Sequence, residues 1–297
     1  MMIDVDAPPL VDAAARPPAH DGLSQRDFSR LAAIIESHTG IRMPPTKRTM
    51  VEGRLRRRLR ILGLPDLNAY CRHVLDGGGL ESELVDLIDA VTTNKTDFFR
   101  EIDHFRYLMG TAIPALSRLP HHPGRDRPLK IWSAACSTGA EPYTVAMLLL
   151  EQERAGMPIR HEIIATDICT EALATARMGV YPADMARMVP EPFASRYLMR
   201  SRDPDDLTVR LVPRVRQSVR FGRLNVMDPT YPVPTDMDVI FFRNILIYFD
   251  KMTQKKVLEK LCGHLRPGGC LFIGHSETIT NMDLPLKQAG SAIFIRS

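Results

Sequence analysis

Between residues 24 and 91 the apolar positions recur every three or four residues, whereas from about 129 onward they gather into short continuous runs separated by helical stretches. Spacing of the first kind belongs to amphipathic helices, and runs of the second kind to strands buried on both faces. Ser24 and Asp27 resemble a capping box ahead of Phe28, Leu31, Ile35 and His38, which predicts a helix ending at Gly40. A second helix follows Pro44-Pro45, with Val51, Leu55, Leu59 and Leu62 on one face. Two more are expected from Leu67 to Leu75 and from Ser82 to Val91, on either side of Gly77-Gly78-Gly79. Residues 23–91 thus read as an all-helical domain. Residues 1–22 carry Asp4, Asp6 and Asp12 among prolines without an apolar period, and read as a disordered extension.

Residues 92–297 alternate strands with helices. Lys130 to Ala135 is apolar and small like a buried strand, and Tyr143, Ala146, Met147 and Leu150 then keep helical spacing, so the chain turns sharply between Cys136 and Gly139. A strand from His161 to Asp167 leads into a helix from Thr170 to Met178, and strands follow at Val219–Val226, Met237–Asn244, Gly269–Gly274 and Ala292–Arg296, with a helix from Thr253 to Leu265. The proline-rich region at about 181–217, in which Thr208 to Val212 alternates, is expected to be a small antiparallel β insertion. The expected fold is therefore α/β, a parallel sheet with helices on both faces that takes its ligand at the carboxyl ends of the strands.

With 44% hydrophobic and 25% charged residues in 297, the chain is an ordinary globular one. The five cysteines are odd in number and lack Cys-x-x-Cys spacing, which argues against a disulfide framework or a cysteine zinc site, and a reducing cytoplasm suits them. No apolar run approaches the roughly 20 residues needed to span a bilayer, so no membrane insertion is expected. The N-terminus is acidic and rich in Pro and Ala, where a secretion signal is basic and then apolar.

Net charge is only +4, yet Lys47, Arg48, Arg54, Arg56, Arg57, Arg58 and Arg60 face a single acid, Glu52, along the second helix. So one-sided a charge run points to an acidic partner, either nucleic acid or an acidic protein surface. The strand-to-helix turn offers free N–H groups but only one glycine, Gly139. Dinucleotide and phosphate loops need several, so pyrophosphate does not fit. Asp167, at the tip of the next strand, is placed to accept both hydroxyls of a ribose. A nucleoside without pyrophosphate satisfies both observations, and S-adenosylmethionine is such a molecule. The polar stretch from Thr92 to Asp97, beside Phe98 and Phe99, reads either as a capped helix start or as a ligand lid.

Taken together, Asn94-x-Thr-x-Phe-Phe-Arg, Ala135-Cys-Ser-Thr-Gly-x-Glu-Pro-Tyr, Ala165-Thr-Asp, Phe242-Arg-Asn-x-x-Ile-Tyr-Phe-Asp250 and Gly274-His-Ser-Glu resemble the chemotaxis receptor methyltransferases, the CheR family. The likeness runs from Ser24 to Ser297. It implies a Rossmann-like class I methyltransferase sheet and methylation of chemoreceptor glutamates with S-adenosylmethionine, in the cytoplasm and by a monomer. It further implies that Asn94, Thr96 and Arg100 contact the cofactor, with Glu141 at the turn, Asp167 on the ribose, Asn225 and Val226 beside the adenine, and Arg243 and Asn244 under the methionine end. Arg100 and Tyr248 are the implied catalytic pair, with Tyr248 placing the substrate. The basic helix, through Arg54, Arg57, Arg58 and Arg60, would grip the helical cytoplasmic part of the receptor, with no nucleic acid and no metal involved.

In some members of that family a glycine-rich turn in the β insertion holds a receptor pentapeptide. The corresponding Ser201–Leu207 has no glycine, so the resemblance does not extend to that tether. Two rival readings are a nucleic-acid methyltransferase, motivated by the arginines, and a protein that only senses S-adenosylmethionine. Base methylation usually goes with Asp/Asn-Pro-Pro-Tyr after the fourth strand, and this chain has Arg243-Asn-Ile-Leu-Ile-Tyr248 there. His264 and His275 are read as structural.

Overall fold

A computed structural model describes residues 22–297 apart from 120, 204 and 281, so the expected extension at 1–22 lies outside the described residues except for Gly22. Helix α1 (Gln25–Thr39) begins as its sequence dictates, with the Ser24 hydroxyl accepting the Asp27 N–H at 3.0 Å, and it stops at Gly40, which has φ of 70°. Its buried stripe is Phe28, Leu31, Ala32, Ile35 and Thr39, while His38 is exposed and its Nδ1–H donates to the Ile34 carbonyl. A short turn at Pro45–Lys47 leads into α2 (Arg48–Leu62), whose Val51, Leu55 and Leu59 are buried. Next come α3 (Leu67–Cys71), widened into a looser turn at Arg72–Asp76, and α4 (Leu80–Val91). One apolar core unites these four helices.

After α5 (Ile102–Tyr107) and α6 (Ile113–Leu116), the α/β part comprises β1 (Leu129–Ala134), α7 (Ala140–Arg154), β2 (His161–Asp167) and α8 (Thr170–Met178). The insertion consists of β3 (Val180–Pro182), α9 (Ala183–Ala186), α10 (Glu191–Tyr197), β4 (Leu198–Arg200), β5 (Thr208–Leu211) and α11 (Pro213–Gln217). Its strands form a separate antiparallel sheet in the order β3-β5-β4. The chain closes with β6 (Val219–Arg223), β7 (Met237–Phe241), α12 (Lys251–His264), β8 (Leu265–Phe272), β9 (Leu286–Gly290) and β10 (Ile293–Arg296).

The main sheet has the order β6-β2-β1-β7-β8-β10-β9. Its first five strands are parallel, as the alternation predicts, but β10 pairs antiparallel with both β8 and β9. The sheet is therefore mixed. A hairpin rather than a helix joins β9 to β10, and β9 was not foreseen because its residues are polar and largely exposed. Two apolar layers cover the faces: one holds Phe105, Leu149 and Phe241, the other Trp132, Leu258 and Phe242. Every residue of β7, at the sheet's centre, is buried. Its Asp238 carboxylate is balanced there by Arg127, Arg266 and the Lys130 N–H. The opposite ends of the parallel strands are left free to build a site.

The helical unit is fastened to the sheet by specific bonds. Asp89 of α4 accepts the N–H groups of Thr170 and Glu171 at 2.9 and 3.2 Å and the Thr170 hydroxyl, so it caps α8 from outside. Arg57 reaches Glu171 at 2.9 Å. On the other side the Arg42 N–H donates to the Tyr248 carbonyl at 2.9 Å, and the Asn225 amide donates to the His38 carbonyl at 2.6 Å.

Candidate active site

The carboxyl ends of β1, β2 and β7 open into a cavity of about 230 Å³. Its floor is the turn after β1. Gly139, with φ of 88°, lets α7 start there: a Cβ on it would stand 2.9 Å from that of Ala176 and 3.2 Å from the Phe221 ring. Ala135 and Ser137, in the same turn, have φ of 61° and 54°, and across the cavity Phe99, Glu101 and Asn244 have φ of 55°, 56° and 61°. So many left-handed non-glycine residues around one opening is the mark of a backbone bent for function.

Asp167 ends β2 and lines the cavity. Its carboxylate accepts the N–H of Ser137 at 2.7 Å and of Cys169 at 2.9 Å. Burial raises its carboxyl above the ordinary range, against the pull of those N–H groups. Ile168, Leu224 and Val226 add apolar lining beside it. Asn225 does not line the cavity; its amide is spent on the His38 carbonyl and on the Met227 N–H, which fixes the turn that presents Val226.

The stretch from Thr92 to Asp97 is neither strand nor helix and lines the cavity throughout, which removes the reading of it as a helix start. Ser137 donates to the Asn94 carbonyl at 2.8 Å, and the Asn94 amide points to the Cys169 sulfur at 3.2 Å. Thr96 lines the same wall. Arg100 also faces the cavity; its guanidinium bonds only the Lys95 carbonyl among the described residues.

Arg243, just past β7, is buried, and its guanidinium is shared between two carboxylates. It lies 2.9 Å from Glu141 and 3.0 Å from Glu101, and it also donates to the Arg100 carbonyl. Glu141 is tied back to the Ser133 hydroxyl at 2.7 Å. Glu101 takes the Asn244 amide at 3.1 Å. Although burial pushes the Glu101 carboxyl up, the Asn244 bond and the Arg243 charge outweigh it and hold it below the ordinary range. Behind Asn244, Glu277 accepts the N–H groups of Gly274 at 2.6 Å, Asn244 at 3.0 Å and Ile247 at 3.4 Å. The Gly274-His-Ser-Glu277 motif is thus a brace. Gly274 has no Cβ because one would press on the Asn244 amide and lie 2.9 Å from its backbone N.

Tyr248 closes a short turn (Leu246–Tyr248) at the cavity mouth, and the Gln254 amide holds that turn through the Leu246 and Phe249 carbonyls. The helical unit supplies the facing wall through Thr39, Ile41, Met43 and Lys47, with the Lys47 ammonium 5.3 Å from the Tyr248 ring centre. This wall and Glu101 were not foreseen: no local motif marks them, because their roles depend on residues far along the chain.

The four arginines expected to grip a partner divide. Arg54 donates to the carbonyls of Val91 and Thr92, both at 2.7 Å, and to the Thr93 hydroxyl, so it caps the end of α4. Arg58 makes a two-bond pair with Glu83 at 2.7 Å and reaches Asp86 at 2.9 Å, largely out of water. Both serve the fold of the helical unit. Arg57 and Arg60 are exposed, Arg57 beside Glu171.

The donors fit S-adenosylmethionine part by part. A buried acceptor at the β2 tip suits sugar hydroxyls, an apolar wall suits a base, the Glu141 carboxylate past β1 suits a cationic sulfur and ammonium, and the Arg100 fork suits a carboxylate. Family comparison agrees. Residues 94–295 match the domain described as "CheR methyltransferase, SAM binding domain", and residues 26–92 the "CheR methyltransferase, all-alpha domain". "Chemotaxis protein methyltransferase 2" of Pseudomonas aeruginosa is 38% identical over 271 residues, which is 91% of this chain and 93% of that one. "Chemotaxis protein methyltransferase" of Salmonella typhimurium is 38% identical over 276 residues, 93% and 91% of the two chains. A solved glycopeptide N-methyltransferase MtfA, complexed with sinefungin, overlaps 68% of this chain and 59% of its own at 13% identity and a TM-score of 0.34, too slight a likeness to bear on the chemistry. With both of its parts matched in order and over most of its length, this chain belongs to the CheR methyltransferase family and uses S-adenosylmethionine.

Proposed function

We propose that the protein methylates glutamate side chains on the helical cytoplasmic part of chemoreceptors, as one step of chemotactic adaptation, and that it does so in the cytoplasm. The observation that carries this reading is the cavity between Asp167 and Tyr248, roofed by a helical unit with exposed arginines, in a chain 38% identical to proteins named as chemotaxis methyltransferases. S-adenosylmethionine supplies a methyl group on a cationic sulfur. Within the cavity, Asp167 binds the ribose, Leu224 and Val226 flank the base, and Arg100 holds the methionine carboxylate. Asn94 and Thr96 shape the opposing wall. Glu141, Arg243 and Asn244, with Glu101, form a fixed polar seat under the methionine end, and Asn225 acts through Val226.

A glutamate carboxylate is already ionised at pH 7, so it needs no general base. Opposite charges meet and cancel as the methyl group moves, so water slows the reaction by stabilising the separated ions. The protein's task is to exclude water and to hold the reacting atoms about 3–3.5 Å apart. An arginine clamp on the substrate carboxylate would stabilise the charged ground state most, so a neutral donor such as the Tyr248 hydroxyl is the better orienting group. Arg57 and Arg60, not Arg54 and Arg58, meet the receptor's acidic helix.

The test is incubation with methyl-labelled S-adenosylmethionine, a receptor cytoplasmic fragment and RNA, with the labelled peptide identified by mass spectrometry. Base-labile label on receptor glutamates is the expected result. Label on RNA would favour the nucleic-acid reading, and cofactor binding without any label the sensing one.

A further inference from the structure

His104 is 1% exposed, and neither of its ring nitrogens makes a well-formed hydrogen bond among the described residues, although the Ser291 backbone lies close to it. A buried polar group left unpaired is destabilising, and phenylalanine would serve the packing against Phe272 without that cost. The ring is therefore there for its nitrogens. Its Nδ1 lies 3.4 Å from a Glu101 carboxylate oxygen without bonding to it, and its centre is 4.5 Å from that of His275. One donor atom from each of Glu101, His104 and His275 falls within 4.8 Å of the others.

We propose that Glu101, His104 and His275 form a binding site for a borderline divalent cation of the zinc type. Two imidazoles and a carboxylate are a donor set such ions favour, with a fourth position left for water. Zinc bonds of about 2.0–2.2 Å in a tetrahedron set neighbouring donors about 3.3–3.5 Å apart, the separation already found between His104 and Glu101. The exposed His275 gives the ion a way in, and its ring has to turn to bring the third donor from within 4.8 Å to that spacing. Arg243 does not forbid the site. When the ion takes Glu101, the guanidinium keeps Glu141 at 2.9 Å, so Arg243 is not left without a carboxylate partner. The cost falls on the Arg243–Glu101 pair, because both guanidinium bonds go to the same Glu101 oxygen, Oε2, that faces His104, while Asn244 keeps Oε1, so metal binding loosens the polar seat at the end of β7. The site itself does not depend on the methyl-transfer reading; only that last consequence does.

The experiment is equilibrium dialysis of the full chain against Zn²⁺ with elemental analysis, alongside the visible ligand-field spectrum with Co²⁺. One equivalent per chain at micromolar free metal, and a tetrahedral cobalt spectrum, are expected. His275→Ala, at an exposed position, should weaken binding at least tenfold with an unchanged melting temperature, and so should His104→Phe if it folds. His264→Ala, whose ring bonds the Pro234 carbonyl elsewhere, should leave binding intact. Absence of uptake, or uptake by His275→Ala equal to that of the parent chain, overturns the site. Calorimetry with S-adenosylhomocysteine, with and without Zn²⁺, then reads the consequence separately: weaker nucleoside binding in zinc supports it, and unchanged binding removes it while leaving the site standing.

Discussion

The Glu277 carboxylate accepts the Asn244 backbone N–H at 3.0 Å, which pins the turn after β7 to the turn after β8. Asn244 is held in the left-handed region, and its side chain meets Glu101 at the edge of the cavity. Gly274→Ala should therefore push Asn244 out of place. We expect at least a tenfold loss of methyl transfer with a modest fall in melting temperature, read by turnover and by thermal unfolding on the same sample. Wild-type turnover in that variant would mean that Asn244 has no part in the site.

Asp167→Asn should weaken cofactor binding by about 1.5–3 kcal/mol, the range for a hydrogen bond to a charged group. Because burial raises the Asp167 carboxyl above the ordinary 3.8, its ionised form disappears as the pH falls through that higher value. Calorimetric affinity for S-adenosylhomocysteine should thus decline on acidification sooner than an ordinary aspartate would allow, and the variant should lack this part of the profile. Unchanged affinity at neutral pH would take Asp167 out of the site.

Arg58 and Arg60 lie on one helix and should behave differently. Removing one partner of a largely buried pair leaves the other charge stranded, so Arg58→Ala should cost about 3–5 kcal/mol of stability in denaturant unfolding. Arg60→Glu, at an exposed position, should leave unfolding unchanged and raise the KM for receptor. The opposite pattern would show that the receptor-facing side of α2 has been misassigned.

All five cysteines are buried and reduced. Burial raises Cys136 well above its ordinary value and moves Cys71 up to about 12 and Cys262 and Cys270 up to about 11. The thiolate, which is the reactive form, is therefore scarce near neutrality. Ellman's reagent at pH 8 should react slowly with the native chain and rapidly with all five thiols in guanidinium. Fast native reaction of Cys136 would place the turn after β1 in contact with solvent.

What the sequence made legible was local. Gly139, the acid at the tip of β2 and the Ser24 cap declare themselves within a few residues: Gly139 takes its left-handed turn, Ser24 accepts the Asp27 N–H, and Asp167 lines the cavity. The roles of Glu101, Asn225 and Arg54 are decided by partners 142, 187 and 37 residues away, and no spacing rule reaches so far. Arginine charge was equally deceptive: along α2 the residue type is the same throughout, but burial against Glu83 makes Arg58 a strut while Arg60 remains in water. The strand β9 escaped notice because an exposed edge needs no apolar residues.

The connection between α1 and α2 supplies Ile41 and Met43 to the cavity and docks on Tyr248 through Arg42. On the proposed reading, in which the helical unit meets the receptor, the part that recognises the target is for that reason joined to the part that encloses the nucleoside. On that reading, exchanging the first ninety or so residues for those of a relative should change both which receptor is chosen and how firmly the methyl donor is held, so that target preference and catalytic strength are inherited together.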